Sequence, residues 1–216
     1  MTDKTIRQSV VDALEFDPSI DAAGIGVAVH DGVVTLSGHV PTYLQKSSAE
    51  GVAMRVKGVK AVAEEIEVRP YGSHRMADDQ IAHRAVNTLQ WNTSIPDGAV
   101  QAKVEKGWVT LTGQVEWQYQ KEAASEAVRA LTGVIGVANL IEIRPRLKVS
   151  DVKKRIEDAL QRDALVDAAG IRVDVDHGSV TLGGKVRAWS ERQAIERAAW
   201  SAPGVTKVVD QITITY

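Results

Sequence analysis

Apolar residues recur along this chain at the spacing of one helix face, three times over. Ile6, Val10 and Leu14 lie four residues apart near the start, and this spacing predicts an amphipathic helix with one buried side. Equivalent sets follow later in the chain, at Ile81, Ala85 and Leu89 and at Val152, Ile156 and Leu160. Each set predicts the first helix of a repeated unit.

After each of these helices the pattern changes to a strict alternation, which predicts a half-buried β-strand. Ile25, Val27 and Val29 alternate with Gly26, Ala28 and His30, and the same alternation begins at Val100 and at Ile171. A dipeptide ending in glycine comes next in every unit, as Asp31-Gly32, Lys106-Gly107 and His177-Gly178. Glycine supplies the positive φ of a two-residue hairpin turn, so a second strand is predicted to pair with the first.

A second helix and a final strand complete each unit. The helix is predicted to begin after Val40, Val115 and Val186 and to stop at a left-handed glycine cap, namely Gly58, Gly133 or Gly204. The final strand, 62–68 in the first copy, should lie parallel to strand two because such crossovers are right-handed. The predicted fold class is α+β, with three tandem α-β-β-α-β units, each a three-stranded mixed sheet with two helices on one face.

The units also repeat one another residue by residue. The segment Gly32 to Gly38 returns as Gly107 to Gly113 and as Gly178 to Gly184, which is the signature of tandem structural repeats. The shared glycines are interpreted as a structural motif: Gly32, Gly38, Gly58, Gly107, Gly113, Gly133, Gly178, Gly184 and Gly204. The predicted domains are residues 1–70, 78–146 and 149–216.

Composition narrows the classes of function. The 26 Lys and Arg against 28 Asp and Glu give a net charge of −2, which argues against a nucleic-acid partner. With no cysteine there is no disulfide, thiolate nucleophile or zinc-finger-type site. The apolar run 22–29 is too short for a transmembrane segment. Residues 1–8 lack a basic start with an apolar core, so the chain as written is expected to be cytoplasmic.

The pattern of a G-x-V-x-L-x-G-x-V hairpin, a helix ending in V-x-G-V and a final strand resembles the BON domain, named for bacterial osmotically induced and nodulation proteins. In the first copy Gly32, Val34, Leu36, Gly38 and Val40 carry the resemblance. Three copies cover nearly the whole chain. The resemblance implies a non-enzymatic and mostly periplasmic family, linked to envelope integrity and osmotic stress, with proposed binding to phospholipid or to envelope proteins.

Polar residues occupy an otherwise apolar position of the final strand in every copy. They are Glu64, Asn139 and Asp210, and the BON pattern favours an amide or acid at this place. We interpret them as local partners of the backbone at a bulge or turn, in preference to ligands.

No catalytic, metal or cofactor site is predicted. The 5 histidines of the chain do not recur at matching positions in the three copies, so a shared metal site is not expected. The G-x-S-x-G motif is absent, and a unit of this size has little interior for a convergent pocket. The remaining class of function is binding.

Aromatic residues outside the apolar stripes are the candidate contacts. Four of them are assigned to the first turn of the second helix, namely Tyr43, Trp117, Tyr119 and Trp189. Trp91, like Phe16 at the matching position, follows the first helix off its buried stripe, and Trp108 falls on the solvent side of strand two. Amphipathic rings at such places suit a bilayer interface or a protein interface. They could also cover the ends of a thin core or join one copy to the next.

Three functions remain open. The first is weak attachment to a phospholipid surface through these aromatics, multiplied in a homo-oligomer. The second is a protein-interaction or chaperone-like adaptor without lipid affinity, binding an envelope protein through the aromatics, the open sheet face or an edge strand. The third is a sensor whose copies close around a small solute or ion.

Overall fold

The structure is a computed structural model, and it describes residues 2–70, 76–144, 151–163 and 168–215. Residues 145–150, where two predicted domain boundaries fall, lie outside the described ranges. In the first repeat helix α1 is Asp3–Phe16, strands β1 and β2 are Ile25–His30 and Val33–Val40, helix α2 is Tyr43–Met54 and strand β3 is Ala61–Val68.

The second and third repeats have the same order of elements. In the second, helix α3 is Asp78–Trp91, strands β4 and β5 are Val100–Glu105 and Trp108–Val115, helix α4 is Gln118–Arg129, and strands β6 and β7 are Gly136–Asn139 and Glu142–Ile143. In the third, helix α5 is Val152–Arg162, strands β8 and β9 are Ile171–Asp176 and Ser179–Val186, helix α6 is Trp189–Trp200 and strand β10 is Lys207–Ile214.

The first helix of every repeat buries the stripe that its spacing predicts. Ile6, Val10 and Leu14 of α1 pack against Val34 and other buried residues of the sheet. The matching residues of α3 and α5 are buried as well. Removing such side chains from water is the main favourable term in forming so small a core.

Each sheet combines an antiparallel and a parallel pairing, as the crossover rule predicts. Strand β1 pairs antiparallel with β2, so that Val29 lies opposite Val34. Strand β3 pairs parallel with β2, so that Val62 lies opposite Val34. The third repeat has the same arrangement, with β9 between β8 and β10. The α+β class and the mixed three-stranded sheets are therefore confirmed.

The final strand of the second repeat departs from its prediction as one continuous strand. It divides into β6 and β7, both of which pair parallel with β5. Between them the backbone N–H of Leu140 still donates to the carbonyl of Leu111 at 2.8 Å, so the register continues across the break. The interruption follows directly after Asn139, the polar position of this strand.

The hairpin turns need glycine, as predicted. Asp31 and Gly32 have φ of 51 and 80, and two successive positive values define the type I′ turn that matches the twist of a hairpin. Farther along β2, Gly38 has φ of 111, and a Cβ there would overlap the carbonyl oxygen of Gly24. Glycine at this position therefore permits the close pairing of the strands.

The prediction that glycines cap the second helices is wrong, because the helices end before these glycines. Helix α2 ends at Met54, four residues before Gly58. Gly58 has φ of 93 and lies inside a separate turn, in which the backbone N–H of Val59 donates to the carbonyl of Val56 at 3.2 Å. Positive φ is required at the third position of such a turn, so the V-x-G-V motif marks the turn that follows the helix.

Proximity of Cα atoms divides the chain into two compact units. One contains residues 1–93, 101–112 and 123–140, and the other contains 94–100, 113–122 and 141–216. Each unit therefore includes one complete terminal repeat and part of the middle repeat.

Candidate binding surface

The most exposed aromatics of the described residues end the first helices of two repeats. Phe16 at the end of α1 is 89% exposed and Trp91 at the end of α3 is 86% exposed. Both follow a buried leucine by two positions, which turns their rings away from the core. A large apolar ring held almost wholly in water is a candidate for contact with a partner surface.

Neutral or basic residues line the helix face that carries Trp91. Arg84, Asn87 and Gln90 follow one another at intervals of three, and Trp91 comes four positions after Asn87 and seven after Arg84. All four are exposed, and this spacing places them on one side of α3. We call these four residues the α3 surface. Its side chains carry one positive charge and no negative charge.

The matching face of α1 is acidic. Ser9, Asp12 and Glu15 take the places of Arg84, Asn87 and Gln90 around Phe16, and Asp17 follows the helix where the second repeat has Asn92. The Ser19 hydroxyl and backbone N–H donate to the Asp17 carboxylate at 2.6 and 2.9 Å and lower its pKa. The compared positions next to Phe16 along the chain therefore hold three carboxylates, whereas those next to Trp91 hold none.

The third repeat has no aromatic residue at this position. Arg162 replaces it at the end of α5, and Arg155, Asp158 and Gln161 complete the face. The three helix faces thus differ in charge and in apolar area although their backbones follow one pattern. Of these three described helix faces, the α3 surface combines an exposed aromatic ring with compared positions that carry no acidic side chain.

The aromatics assigned to the second helices are less exposed as a group. Tyr43 begins α2, Trp189 begins α6, and Trp117 lies one residue before α4, a small correction to its predicted place. All three are half-buried, whereas Tyr119 is exposed. The Arg192 guanidinium lies 4.8 Å from the centre of the Trp189 ring, a cation–π contact within the repeat. Part of the surface of the half-buried rings is therefore not available to a partner.

Trp108 lies on the open face of the second sheet, as the alternation predicts. It is 52% exposed, and a Cβ on Gly136 would be 2.6 Å from its ring, which shows that the ring lies on this glycine. Leu140, between strands β6 and β7, is also largely exposed. By the alternation of the strands, both side chains lie on the side of the sheet opposite the helices.

The polar positions of the final strands in the first and third repeats make contacts within their own repeat. The Glu64 carboxylate accepts from the backbone N–H of Ile66 at 2.6 Å and pairs with the Lys46 ammonium at 2.8 Å. The Asp210 carboxylate likewise accepts from the backbone N–H of Ile212 and pairs with the Arg192 guanidinium. The prediction of a local backbone partner holds for these two residues, while the basic partner on helix two was not foreseen.

The described residues contain neither a cluster suited to a metal ion nor a helix suited to span a membrane. Within residues 2–70, 76–144, 151–163 and 168–215, no three or more His, Asp or Glu side chains are grouped so that they could hold a metal. Among the helices in those ranges, none combines the length and the apolar character needed to cross a membrane.

Comparison with known proteins identifies the family. A profile described as the BON domain matches residues 2–70, 77–145 and 148–216. The chain belongs to the BON domain family. The osmotically-inducible protein Y of Escherichia coli (strain K12) is 32% identical to it over 143 residues, which cover 64% of this chain and 71% of that protein.

Two other proteins are similar to this chain over most of their length. The outer membrane lipoprotein DolP of Haemophilus influenzae is 26% identical over 168 residues, covering 74% of this chain and 86% of the relative. A 21 kDa hemolysin of Actinobacillus pleuropneumoniae is 28% identical over 142 residues, covering 64% and 73%. The relatives thus connect this BON protein with osmotic induction and the cell envelope, and none of the three names is that of an enzyme.

Trp91 was predicted from the sequence as a candidate contact, but the difference in charge between its helix face and that of Phe16 was not predicted. The signal was available, because aligning the copies places Arg84, Asn87 and Gln90 against Ser9, Asp12 and Glu15. Net charge per copy conceals this local difference. Leu140 was also missed, although it follows Asn139 directly and therefore falls on the opposite, open side of the strand.

Proposed function

We propose that this BON protein is a non-enzymatic binding protein that attaches weakly to anionic phospholipid surfaces through the α3 surface. The observation that carries the proposal is the 86% exposure of Trp91 on a helix face without acidic side chains. Tryptophan is favoured at the boundary between lipid headgroups and acyl chains. A nearby arginine adds about 1 kcal/mol of attraction to an anionic leaflet.

Weak and reversible attachment fits the size of this surface. One ring and one cation provide far less apolar burial than an amphipathic anchor helix, which inserts a whole face. The acidic face around Phe16 opposes a second contact of the same kind at an anionic membrane. We therefore assign the lipid contact to the middle repeat. The envelope association of the relatives supports this assignment at the level of the family.

Vesicle co-sedimentation of the full chain tests the proposal, using phosphatidylcholine alone and phosphatidylcholine mixed with phosphatidylglycerol at low and physiological salt. We expect pelleting with the anionic vesicles that weakens as salt is added. Trp91→Ala should remove most of it, and the matched control Phe16→Ala should leave it unchanged. Far-UV circular dichroism establishes that both variants are folded. Full binding by Trp91→Ala would contradict the proposal.

The open face of the second sheet supports an alternative, in which the protein is an adaptor for another protein. Trp108 and Leu140 are both exposed there, and interface cores are enriched in large apolar and aromatic residues. A chain that stays in the supernatant with every lipid would favour this alternative. Trp108→Ala would then be the variant expected to lose a protein partner.

A further inference from the structure

Strand β8 lies at an edge of the third sheet, where it pairs with β9 alone. Its hairpin sets Asp176 opposite Ser179 across a two-residue turn. The pair that flanks such a turn exchanges its backbone hydrogen bonds, and this pattern alternates along the strand. The N–H and C=O groups of Ile171, Val173 and Val175 therefore point away from β9. An edge of this kind can pair with another strand.

In the first repeat a helix side chain bonds to the equivalent edge. Val27 of β1 aligns with Val173 of β8, and its carbonyl accepts from the Arg7 guanidinium of α1 at 2.9 Å. This bond shows that the carbonyl at this position faces away from the second strand. It also occupies a group that an added strand needs and places a charged side chain along the edge, which opposes strand addition.

Side chains also bond to the opposite edges of the first and third sheets. On β3 the backbone N–H of Ile66 donates to Glu64, and the carbonyl of Ile66 accepts from Lys46. On β10 the backbone N–H of Ile212 donates to Asp210. Each of these final strands thus has an outward group that is already bonded to a charged side chain, so strand addition is disfavoured there.

The edge of β8 differs from these three edges. Lys153 of α5 takes the place of Arg7, and its ammonium pairs with Glu157 at 3.8 Å. Within the residues that the structure describes, no side chain donates to the carbonyl of Val173. The outward groups of β8 are therefore available to a strand from outside the chain.

The charges of β8 fit a second copy of the same strand. The side chains of Arg172 and Asp174 lie 3.0 Å apart and are mainly exposed. When two copies of β8 pair antiparallel with Val173 at the centre, Arg172 of each copy lies opposite Asp174 of the other. Opposite charges across a strand pair stabilise it, whereas like charges destabilise it. The same register sets Ile171 opposite Val175, so apolar residues also meet.

Strand β4 of the second repeat lacks this match in charge. It also lies at a sheet edge, and Ala82 stands in place of Arg7. Pairing two copies of β4 about the central Ala102 sets Lys103 opposite Gln101, which gives no attraction between opposite charges. Strand β4 is therefore a matched comparison for β8.

We propose that β8 pairs with β8 of a second copy of this chain and so forms a two-fold symmetric dimer with one continuous sheet through both third repeats. The interface is isologous, because each strand presents the same residues to its partner. The outward backbone groups of β8 supply the attraction, and the two contacts between Arg172 and Asp174 fix the register. This dimer is independent of the lipid contact of the α3 surface, and each can fail without the other.

Analytical ultracentrifugation of the full chain tests the proposal from about 10 µM to about 1 mM, a range that covers weak interfaces. We expect wild type to change from monomer to dimer as its concentration rises. Asp174→Arg and Arg172→Asp each set like charges opposite one another, so each should raise the dimer Kd about tenfold or more. Both residues are exposed, and far-UV circular dichroism checks that the variants are folded.

A mixture of the two variants separates strand pairing in this register from a general effect of charge. At these positions Asp174→Arg carries two arginines and Arg172→Asp carries two aspartates, so one copy of each restores both contacts between opposite charges. The equimolar mixture should dimerise within about threefold of wild type, although neither variant does so alone. Lys103→Glu changes the charge of β4 and is the control, which should dimerise normally.

Two further measurements report on the backbone of β8. Lys153→Arg supplies the side chain that Arg7 has in the first repeat, so we expect it to bond to the Val173 carbonyl and weaken the dimer. Hydrogen exchange at the amides of Val173 and Val175 should slow as the protein concentration rises, because their N–H groups enter the new strand pairing.

Three results would overturn the proposal. The first is a wild type that remains monomeric up to about 1 mM, which would exclude a second copy and leave a strand of another protein as the occupant of this edge. The second is a mixture of Asp174→Arg and Arg172→Asp that dimerises no better than either variant alone. The third is a loss of dimer in Lys103→Glu as large as in Asp174→Arg.

Discussion

At the scale of single residues, one carboxylate joins the first helix to the hairpin. Asp3, in the first turn of α1, accepts from the backbone N–H groups of Asp31 and Gly32 at 2.9 and 3.0 Å. Asp78 of α3 accepts from Lys106 and Gly107 in the same way, at 2.6 and 2.9 Å. The carboxylate thus satisfies two turn N–H groups that the hairpin leaves without a strand partner. Its position in the first helical turn is also electrostatically favourable.

We expect Asp3 to make the stability of the first repeat depend on acidity. The hydrogen bonds from Asp31 and Gly32 lower the pKa of Asp3 below its ordinary value of 3.8. A carboxyl group with a lowered folded-state pKa stabilises above its unfolded pKa and loses that contribution as the pH falls through the folded value. The difference in unfolding free energy between wild type and Asp3→Asn should therefore be largest near neutral pH and shrink below pH 3.8.

Urea unfolding between neutral and acidic pH measures this difference, with amide signals of the first repeat as the probe. Glu15→Gln, an exposed carboxylate of the same helix, is the control and should leave the curve near that of wild type. An Asp3→Asn effect that grows as the pH falls would show that the carboxylate does not act through these two bonds.

At the scale of elements, a closed set of polar contacts fastens the second helix to the final strand. The Lys46 ammonium donates to the carbonyl of Ile66 at 2.7 Å and pairs with Glu64. Glu64 in turn accepts from the backbone N–H of Ile66. The contacts lie at the partly buried border of the core, where an unsatisfied backbone group is costly. They explain why an acidic residue occupies an apolar position of the strand.

Glu64→Ala should destabilise the first repeat by about 1 to 3 kcal/mol, because it leaves the Ile66 N–H and the Lys46 ammonium without this carboxylate. Urea unfolding and hydrogen exchange at the Ile66 amide measure the loss. Glu65→Ala, next along β3 and exposed, should change stability by less than about 0.5 kcal/mol. Equal effects of the two substitutions would mean that strand propensity, and not the contact set, decides the stability at Glu64.

At the scale of the whole molecule, repetition allows near-identical units to carry different surfaces. The first and second repeats share their core positions and hairpin turns, yet one presents Phe16 among acids and the other presents Trp91 among amides and an arginine. Because the first and third repeats each have a separate core cluster, surface substitutions in one copy cost the other little stability. The family match applies to all three copies, and the α3 surface singles out the middle one.

Converting the first repeat should add a second lipid contact. The double variant Asp12→Asn with Glu15→Gln gives Phe16 the amides found around Trp91, and we expect roughly tenfold tighter binding of the full chain to anionic vesicles, because linked weak contacts reinforce one another. Co-sedimentation across lipid concentrations measures the change. Adding Phe16→Ala to the double variant should abolish the gain. Wild-type affinity in the double variant would refute the role of local charge.

The sequence by itself determined the order of elements, the buried stripes and the hairpin turns. These features depend on local rules. Four-residue spacing places Ile6, Val10 and Leu14 on one face of a helix wherever that helix packs, and only glycine relieves the backbone at Gly32 and Gly38 without cost. The repetition of the pattern three times made each assignment stronger, since an accidental pattern would not recur in the same order.

Only the tertiary structure decided which side chains remain in solvent and which charges are balanced. Trp91 and Trp189 both lie at helix ends, but Trp189 is half-buried beneath Arg192, which itself binds Asp210 on another element. Exposure and charge balance depend on neighbours far apart along the chain, and only packing brings those neighbours together.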